Sequence, residues 1–320
     1  MRQMLCGIAM VCSVAAACAA DGYPAKPVRW IVPFPPGGGT DLISRTVAAK
    51  LGEAWKVQVV PDNRPGSGGT IGMGMAAKSP ADGYTIVLGQ ASNIAVAPGL
   101  YAKLPYDPLR DFLPVTQVIA APLVIVSHPS FPARSAKELV ARAKAQPGAI
   151  TFGSPGNGTI GHLSMELLKS MAKIDMLHIP YTGASRAITE LMGGQIVVYS
   201  SSMPPAVPLI HAGKLKALGV TTAKRLAPLP DVPTVAESAV PGYEAVNWYG
   251  VFAPAGTPKE IVARLHDDIA RVLHQPDVQK RFASEGGEII ANTPEQFDAF
   301  IRREIPKWTK VIKDSGARVD

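Results

Sequence analysis

The chain has 320 residues, 47% of them hydrophobic and 18% charged, and a net charge of +7. This balance provides apolar area for two domains or one large α/β domain and excludes a mainly disordered chain. Thirty glycines and thirty prolines without a fixed period exclude collagen and belong in loops and turns.

The amino terminus reads as a secretory signal over residues 1–20. Arg2 precedes an uncharged stretch from Met4 to Ala17, and small residues follow, the order that export and cleavage require. Cleavage is expected after Ala19 or Ala20. A second exit route is open, because Ala15-Ala16-Ala17-Cys18 loosely resembles a lipoprotein cleavage box, with Ala15 where a larger aliphatic residue is usual. All three cysteines lie in this segment. Ordinary cleavage therefore leaves no disulfide, Cys nucleophile or Cys-held metal. It also removes one Arg and no acid, so mild positive charge remains. The basic residues are scattered without interleaved aromatics, which argues against nucleic-acid binding.

Beyond the signal, apolar runs alternate with helical patterns. Residues 28–32 predict a strand. Residues 41–55 predict a helix with Leu42, Ile43, Val47, Leu51 and Trp55 on one face. A strand at 57–60, a Gly-rich loop at 63–69, a helix ending near Lys78 and a strand at 84–88 complete a βαβαβ series, the signature of a mainly parallel sheet. The alternation restarts with a strand at 123–127 and a helix at 135–146. Ser135 is the expected N-cap there, and Glu138 the expected partner of a capping box. A strand at 150–153, a helix at 159–172 and strands at 176–179, 196–200 and 215–220 follow, with helices between them. The last helices are expected at 259–273, 277–285 and 295–313. Each begins at or next to a proline, Pro258, Pro276 or Pro294, where a missing N–H costs little. Boundaries near 120–122 and 248–254 would return these helices to the first domain. No internal repeat has a convincing period.

Two loops carry the chemistry. Pro33-Phe34-Pro35-Pro36-Gly37-Gly38-Gly39-Thr40-Asp41 joins a strand to a helix, where unpaired N–H groups form an anion site. Asp41 or Thr40 is the expected N-cap. A plain βα turn is the competing reading. The second loop, Gly153-Ser154-Pro155-Gly156-Asn157-Gly158-Thr159-Ile160-Gly161-His162, occupies the same place in the second series. Together the two could clamp one anion. Charge-assisted hydrogen bonds contribute about 1.5–3 kcal/mol each, so about four could reach micromolar affinity without a side-chain cation. His162 suits capping or packing better than ligand contact. Asn63-Arg64-Pro65-Gly66-Ser67-Gly68-Gly69 suits a structural turn with Arg64 tied to a carboxylate. Ser92 and Asn93 follow a strand end, either in a turn or reaching a cleft.

Other templates fail. No Lys-Ser/Thr pair follows the first glycines, and no Gly-x-Ser-x-Gly or His-Glu-x-x-His occurs. Gly72-x-Gly74-x-x-Ala77 matches a dinucleotide fingerprint by letter, but its glycines fall inside a helical stretch and no suitable acid follows. The six histidines lack metal spacing, and His266 and His274 are expected to be solvated. These readings predict no catalytic residue, metal or cofactor.

The residues together resemble the solute receptors of tripartite tricarboxylate transporters, the Bug-type extracytoplasmic binding proteins. The resemblance rests on Tyr23-Pro24-x-Lys26-Pro27, on Ile31-Val32-Pro33-Phe34 with Pro36-Gly37-Gly38 and Asp41, and on Asn63-Arg64-Pro65-Gly66. It continues through Ala81-Asp82-Gly83-Tyr84-Thr85, Tyr106-Asp107-Pro108 with Asp111-Phe112, Pro180-Tyr181-x-Gly183 and Pro230-Asp231-Val232-Pro233-Thr234, and closes with 250–258. It implies a two-domain α/β periplasmic-binding-protein fold that closes on a ligand like a Venus flytrap. The domains would be 25–120 with 251–320, and 121–250. It further implies a monomer that is not an enzyme, located in the periplasm, which holds a carboxylate through backbone N–H groups and passes it to membrane permease subunits. By that likeness Phe34, Gly37, Gly38, Thr40 and Asp41 line one jaw, and Ser154, Gly156, Asn157, Gly158 and Thr159 the other. Ser92, Tyr181 and Ala184 are further candidates.

One stretch departs from the family pattern. After Gly193-Gly194-Gln195, Val197 and Ser201 stand where the family often has acids. If position 201 faces the cleft, a partner for an ammonium is lost there. A ligand without a free amine is then expected, either an aliphatic dicarboxylate or hydroxy-acid, or an aromatic acid. The alternatives are a sensing protein that acts through a signalling partner, and an exported α/β hydrolase. Loss of uptake on deletion would separate the first from a transport receptor, and product formation would reveal the second.

Overall fold

A computed structural model describes residues 22–284 and 286–317. The expected signal segment and Cys18 lie outside them. The elements run β1 (Val28–Val32), α1 (Gly39–Trp55), β2 (Val59–Asn63), α2 (Thr70–Ala77), β3 (Thr85–Gln90), α3 (Ala97–Leu100), β4 (Phe112–Ser127) and α4 (Ala136–Ala145). Then come β5 (Thr151–Ser154), α5 (Ile160–Ala172), β6 (Leu177–Pro180), α6 (Ala184–Met192), β7 (Val198–Ser202), α7 (Met203–His211), β8 (Lys216–Val220) and α8 (Val235–Ser238). The chain ends with β9 (Val246–Pro254), α9 (Lys259–Leu273), α10 (Pro276–Ser284), β10 (Glu288–Ile289) and α11 (Pro294–Ser315). No helix among the described residues is long and apolar enough to cross a membrane.

The strands follow the order β2-β1-β3-β9-β4-β7-β5-β6, with β8 and β10 also paired to β4. Both ends are parallel, as the βαβ alternation predicts: β1 with β2 and β3, and β5 with β6 and β7. The centre is not. There β9 runs antiparallel to β3 and β4, and β7 antiparallel to β4. The strand expected at 123–127 is the second half of β4. Its first half pairs with β9 through Phe112 to Pro122, and Leu123 to Ser127 pairs with β7. Pro114 and Pro122 disguise this continuity, because proline normally argues against a central strand. A register shift next to Pro114 absorbs the missing donor.

The last helices cover the first half of the sheet. Trp30, Val47, Leu51, Val115 and Val251 share one buried cluster with Leu265, Ile269 and Phe282. The indole of Trp55 on α1 donates to Asp268 of α9 at 2.7 Å. Leu42, expected on the apolar face of α1, is half-buried, while Ala48 fills the stripe.

Helix starts depart from expectation in two places. The N-cap of α1 is Gly38 rather than Thr40 or Asp41. Ser135 does cap α4, but the Glu138 carboxylate accepts from Arg134 N–H at 2.9 Å and not from Ser135. The full capping boxes are Thr234 with Glu237, and Thr293 with Gln296. Gly72 and Gly74 lie inside α2, which disposes of the dinucleotide fingerprint. His266 is only 17% exposed and meets Asp267 at 2.9 Å, so it is not the solvated residue expected. His274 is exposed and bonds Ala270 O.

Candidate functional site

Strands β1, β5 and β6 each hand the chain directly to a helix, and the three helix starts face one cavity. In the first loop Gly37 has φ +84°, a left-handed conformation that glycine adopts without Cβ strain. That turn sets Gly38 at the head of α1. The first-turn N–H groups of Gly39, Thr40 and Asp41 have no carbonyl one turn back to bond. Asp41 does not point at this opening. Its carboxylate accepts from Gly37 N–H (3.0 Å), Arg45 Nε (2.9 Å) and Asn63 Nδ2 (3.0 Å). Burial pushes the carboxyl upward, but the bonds from Arg45, Gly37 and Asn63 outweigh it and bring the pKa to about 2. Asn63 also donates to Phe34 O at 3.0 Å, so Asp41 and Asn63 are the clasp of the loop. Arg64 meets Asp62 at 2.9 Å, the structural tie expected of it.

The second loop is built the same way from different parts. Thr159 caps α5, accepting from His162 N–H at 3.3 Å and donating to Gly156 O at 2.8 Å. Gly158 N–H donates to His162 Nδ1 at 3.1 Å, so His162 is the capping residue the sequence suggests. Ser154 Oγ accepts from Gly156 N–H at 3.2 Å and lies 2.7 Å from His178 Nε2. The N–H groups of Ile160 and Gly161 remain for a ligand. The third start, α6, has Gly183 as N-cap without a side-chain bond. Helix dipoles place partial positive charge at all three ends. Ser202 begins α7 at the same cavity, but Pro204 and Pro205 in its first turn supply no N–H.

The cavity has a volume of about 690 Å³. Among the described residues, no Asp, Glu, Lys, Arg or His lines it. Its donors and acceptors are amides and hydroxyls: Thr40, Gln90, Ser92, Asn157, Asn247 and Tyr249 among them. Phe34, Leu100, Tyr101, Leu123 and Ile160 make an apolar portion. Gln90 is fixed by Thr40 Oγ1 at 3.3 Å and by its own bond to Ser92 Oγ at 2.9 Å. Asn247 Nδ2 donates to Tyr249 Oη at 3.0 Å. The cavity therefore offers both uncharged, pre-oriented donors and hydrocarbon. That arrangement suits an organic anion.

Of the residues singled out from sequence, Phe34, Gly37, Gly38, Thr40, Ser92, Asn157, Gly158, Thr159 and Ala184 border this cavity. Asp41, Ser154, Gly156, Tyr181 and Ser201 do not. Asp41 and Ser154 are consumed by loop bonds. Gly156 is held within the second loop by Ser154 and Thr159, and Tyr181 lies beside that loop, its N–H bonding Ser154 O at 3.0 Å. Ser201 is fully buried and bonds Ser202 O. Its neighbours Ser200 and Ser202 reach the cavity, as strand alternation requires of positions one residue away. The loss of an acid at 201 therefore says nothing direct about the ligand. Sequence reasoning missed Gln90, Asn247 and Tyr249. Gln90 was within reach, two residues before Ser92 at the same strand end. Asn247 and Tyr249 stand on β9, which carried no strand expectation.

Ser154 and His178 are the one Ser–His contact near the cavity among the described residues. They do not form a nucleophile–base pair facing a substrate. Ser154 is fully buried, outside the cavity lining, and its hydroxyl is engaged with Gly156. Among the described residues no group of three His, Cys, Asp or Glu could hold a metal ion.

The sequence and the fold both have known relatives. The model of the tripartite tricarboxylate transporter family receptor (TctC) matches residues 43–317, beginning just past the first Gly loop. BugT of Bordetella pertussis is 39% identical over 309 residues, 96% of this chain and 94% of its own. A UPF0065 protein from the tcbD-tcbE intergenic region of Pseudomonas sp. strain P51 is 38% identical over 314 residues, 97% of this chain and 93% of its own. Among solved structures, R. palustris Rpa4515 with adipate superposes with a TM-score of 0.83 at 36% identity, covering 93% of this chain and all of that one. MatC from Rhodopseudomonas palustris with bound malate gives 0.79 at 30% identity, covering 91% of this chain and all of that one.

Proposed function

The chain belongs to the tripartite tricarboxylate transporter receptor family and is a solute-binding receptor, not an enzyme, and from that premise we propose that it captures a small carboxylate in the cavity between its two loops and delivers it to membrane permease subunits. The observation that carries the proposal is the convergence of three helix starts on a cavity that, among the described residues, no charged side chain lines. Backbone donors at helix starts prefer an anion, and no lining cation is needed to hold it. No lining acid is present to receive an ammonium, so the ligand carries no free amine. That leaves an aliphatic dicarboxylate, a hydroxy-acid or an aromatic acid, with its hydrocarbon against Phe34, Leu100 and Ile160. The neighbours that hold adipate and malate support this class.

In this reading the halves joined by β4 and β9 are two lobes, 25–120 with 251–320 and 121–250, which close on the ligand. Leu100 from the first half already reaches Gly158 of the second: a Cβ placed on Gly158 would stand 2.2 Å from Leu100 Cδ2. The protein is exported to the periplasm by cleavage of residues 1–20 and acts as a monomer.

A thermal-shift screen of the protein against mono- and dicarboxylates, each with its amide as control, tests the proposal. A ligand at 1,000 times its dissociation constant adds about 4 kcal/mol, which shifts a chain of this size by several degrees. A shift with an acid and none with its amide is the expected result. Equal shifts with amides, or tight binding of an amino acid such as glutamate, would overturn it.

A further inference from the structure

Two histidines behind the second loop hold it in place. His162 on α5 and His178 on β6 stack at 3.9 Å between ring centroids and 11° between planes. His178 stacks in turn on Phe152 of β5 at 4.9 Å. Neither ring lines the cavity, and each touches the loop that does. His162 Nδ1 accepts from Gly158 N–H (3.1 Å), and His178 Nε2 lies 2.7 Å from Ser154 Oγ, which holds Gly156 N–H. The loop is thus tied at Ser154 and at Gly158 to one aromatic stack.

We infer that His162 is a positioning residue for ligand capture: its neutral imidazole accepts the Gly158 N–H at Nδ1 and thereby keeps the Ile160 and Gly161 donors turned to the cavity. An imidazole that accepts at Nδ1 carries its proton on Nε2. On that side Glu166 Oε1 stands 3.7 Å away. Without the acceptor, Gly158 N–H would be free to seek a partner elsewhere. The turn at Gly158, with φ +71°, would then lose the bond that closes it. Only an unprotonated acceptor at the Nδ1 position serves. This separates a positioning role from simple packing, because side chains of similar size place their acceptors differently. Asparagine puts Oδ1 where Nδ1 stands. Glutamine puts its carbonyl near Nε2.

The inference rests on the carboxylate-receptor reading for its functional consequence but not for its geometry, and the test keeps the two apart. Amide hydrogen exchange at Gly158 and the nitrogen-15 spectrum of the histidines are recorded for the wild type, His162→Asn and His162→Gln, and adipate is titrated into each by calorimetry. The wild type should show His162 with Nδ1 bare and Nε2 protonated. Gly158 should stay protected in His162→Asn and exchange about tenfold faster in His162→Gln, with adipate affinity following the same order, as expected for loss of one hydrogen bond. Equal Gly158 exchange in the two variants, or a wild-type ring protonated at Nδ1, overturns the inference. Wild-type protein that fails to bind adipate counts against adipate as ligand, while the exchange comparison still decides the role of His162. If His162→Asn does not fold, His162→Gln against the wild type decides it: Gly158 exchange and adipate affinity unchanged from the wild type overturn the inference.

Discussion

Replacing Asp41 separates a ligand contact from a loop clasp. The side chain is 6% exposed and holds Gly37 N–H, Asn63 Nδ2 and Arg45 Nε. Each charge-assisted bond is worth about 1.5–3 kcal/mol when its partner cannot turn to water. Arg45 can, being 53% exposed, so its pairing counts as a surface one of at most about 1 kcal/mol. Gly37 is exposed as well. Asn63 retains Phe34 O. Asp41→Ala should therefore cost about 2–4 kcal/mol, less than three full charge-assisted bonds would sum to, and lower Tm by roughly 4–12 °C. Asp41→Asn keeps an acceptor and should fall about halfway. Arg45→Ala should lose at most about 1 kcal/mol. The folded pKa of Asp41, about 2, lies below its ordinary value of 3.8. Its stabilisation is thus present above pH 3.8 and fades as the pH falls towards 2. The gap between wild type and Asp41→Asn should close over that window. Urea unfolding monitored by circular dichroism at pH 7 and pH 3 measures both effects. An Asp41→Ala protein within 1 °C of wild type, by the same scale, would refute the clasp.

Three further outcomes follow from the same structure. Gly158→Ala puts a methyl group against Leu100 and a side chain at positive φ; it should weaken carboxylate binding about tenfold or more by overpacking the cross-cavity contact, and Leu100→Ala should restore part of the loss in calorimetric titrations. Glu304→Ala strips the acceptor shared by the indoles of Trp248 (3.2 Å) and Trp308 (2.9 Å). It should cost about 2–5 kcal/mol in denaturant unfolding, with Glu304→Gln recovering much of it. His162 and His178 have pKa values lowered by burial from 6.5 to about 3 and about 4. The unfolded chain binds their protons first, so stability should fall as pH drops below 6.5, with a slope of about 1.4 kcal/mol per pH unit for each buried neutral ring. Tm scans from pH 7 to pH 4 check this, and His178→Phe should flatten the slope.

The two Gly-rich loops were legible because their signal is local: a strand period, a run of glycines and a helix period in succession. The apolar stripe of α1 was legible for the same reason, through Ile43, Val47 and Leu51. The capping partner of Ser135 was not, because Glu138 can reach either of two neighbouring N–H groups and the approach of the chain decides between them. The strand β4 hid behind Pro114 and Pro122, since its pairing with β9 joins residues more than a hundred positions apart. With β9 unread, Asn247 and Tyr249 could not be assigned to the cavity. Ser201 was misplaced by one residue of strand parity, which in a sheet is the difference between cavity and core.

By itself the sequence determined an α/β alternation in two series, two strand-to-helix loops able to present N–H groups, and a family likeness spanning nearly the whole chain beyond the signal. Tertiary structure alone decided which polar groups remain for a ligand. Asp41 and Ser154 carry the chemistry of binding residues, yet partners brought in from Asn63 and His178 occupy them. Gln90 and Tyr249 carry no motif, and the fold sets them at the cavity. The histidine stack shows the reason most plainly. Parallel pairing of β5 with β6 aligns Phe152 with His178, and the start of α5 swings His162 onto the same rings. Residue type fixes what a group can donate or accept, but only packing across distant segments fixes whether that capacity is already used.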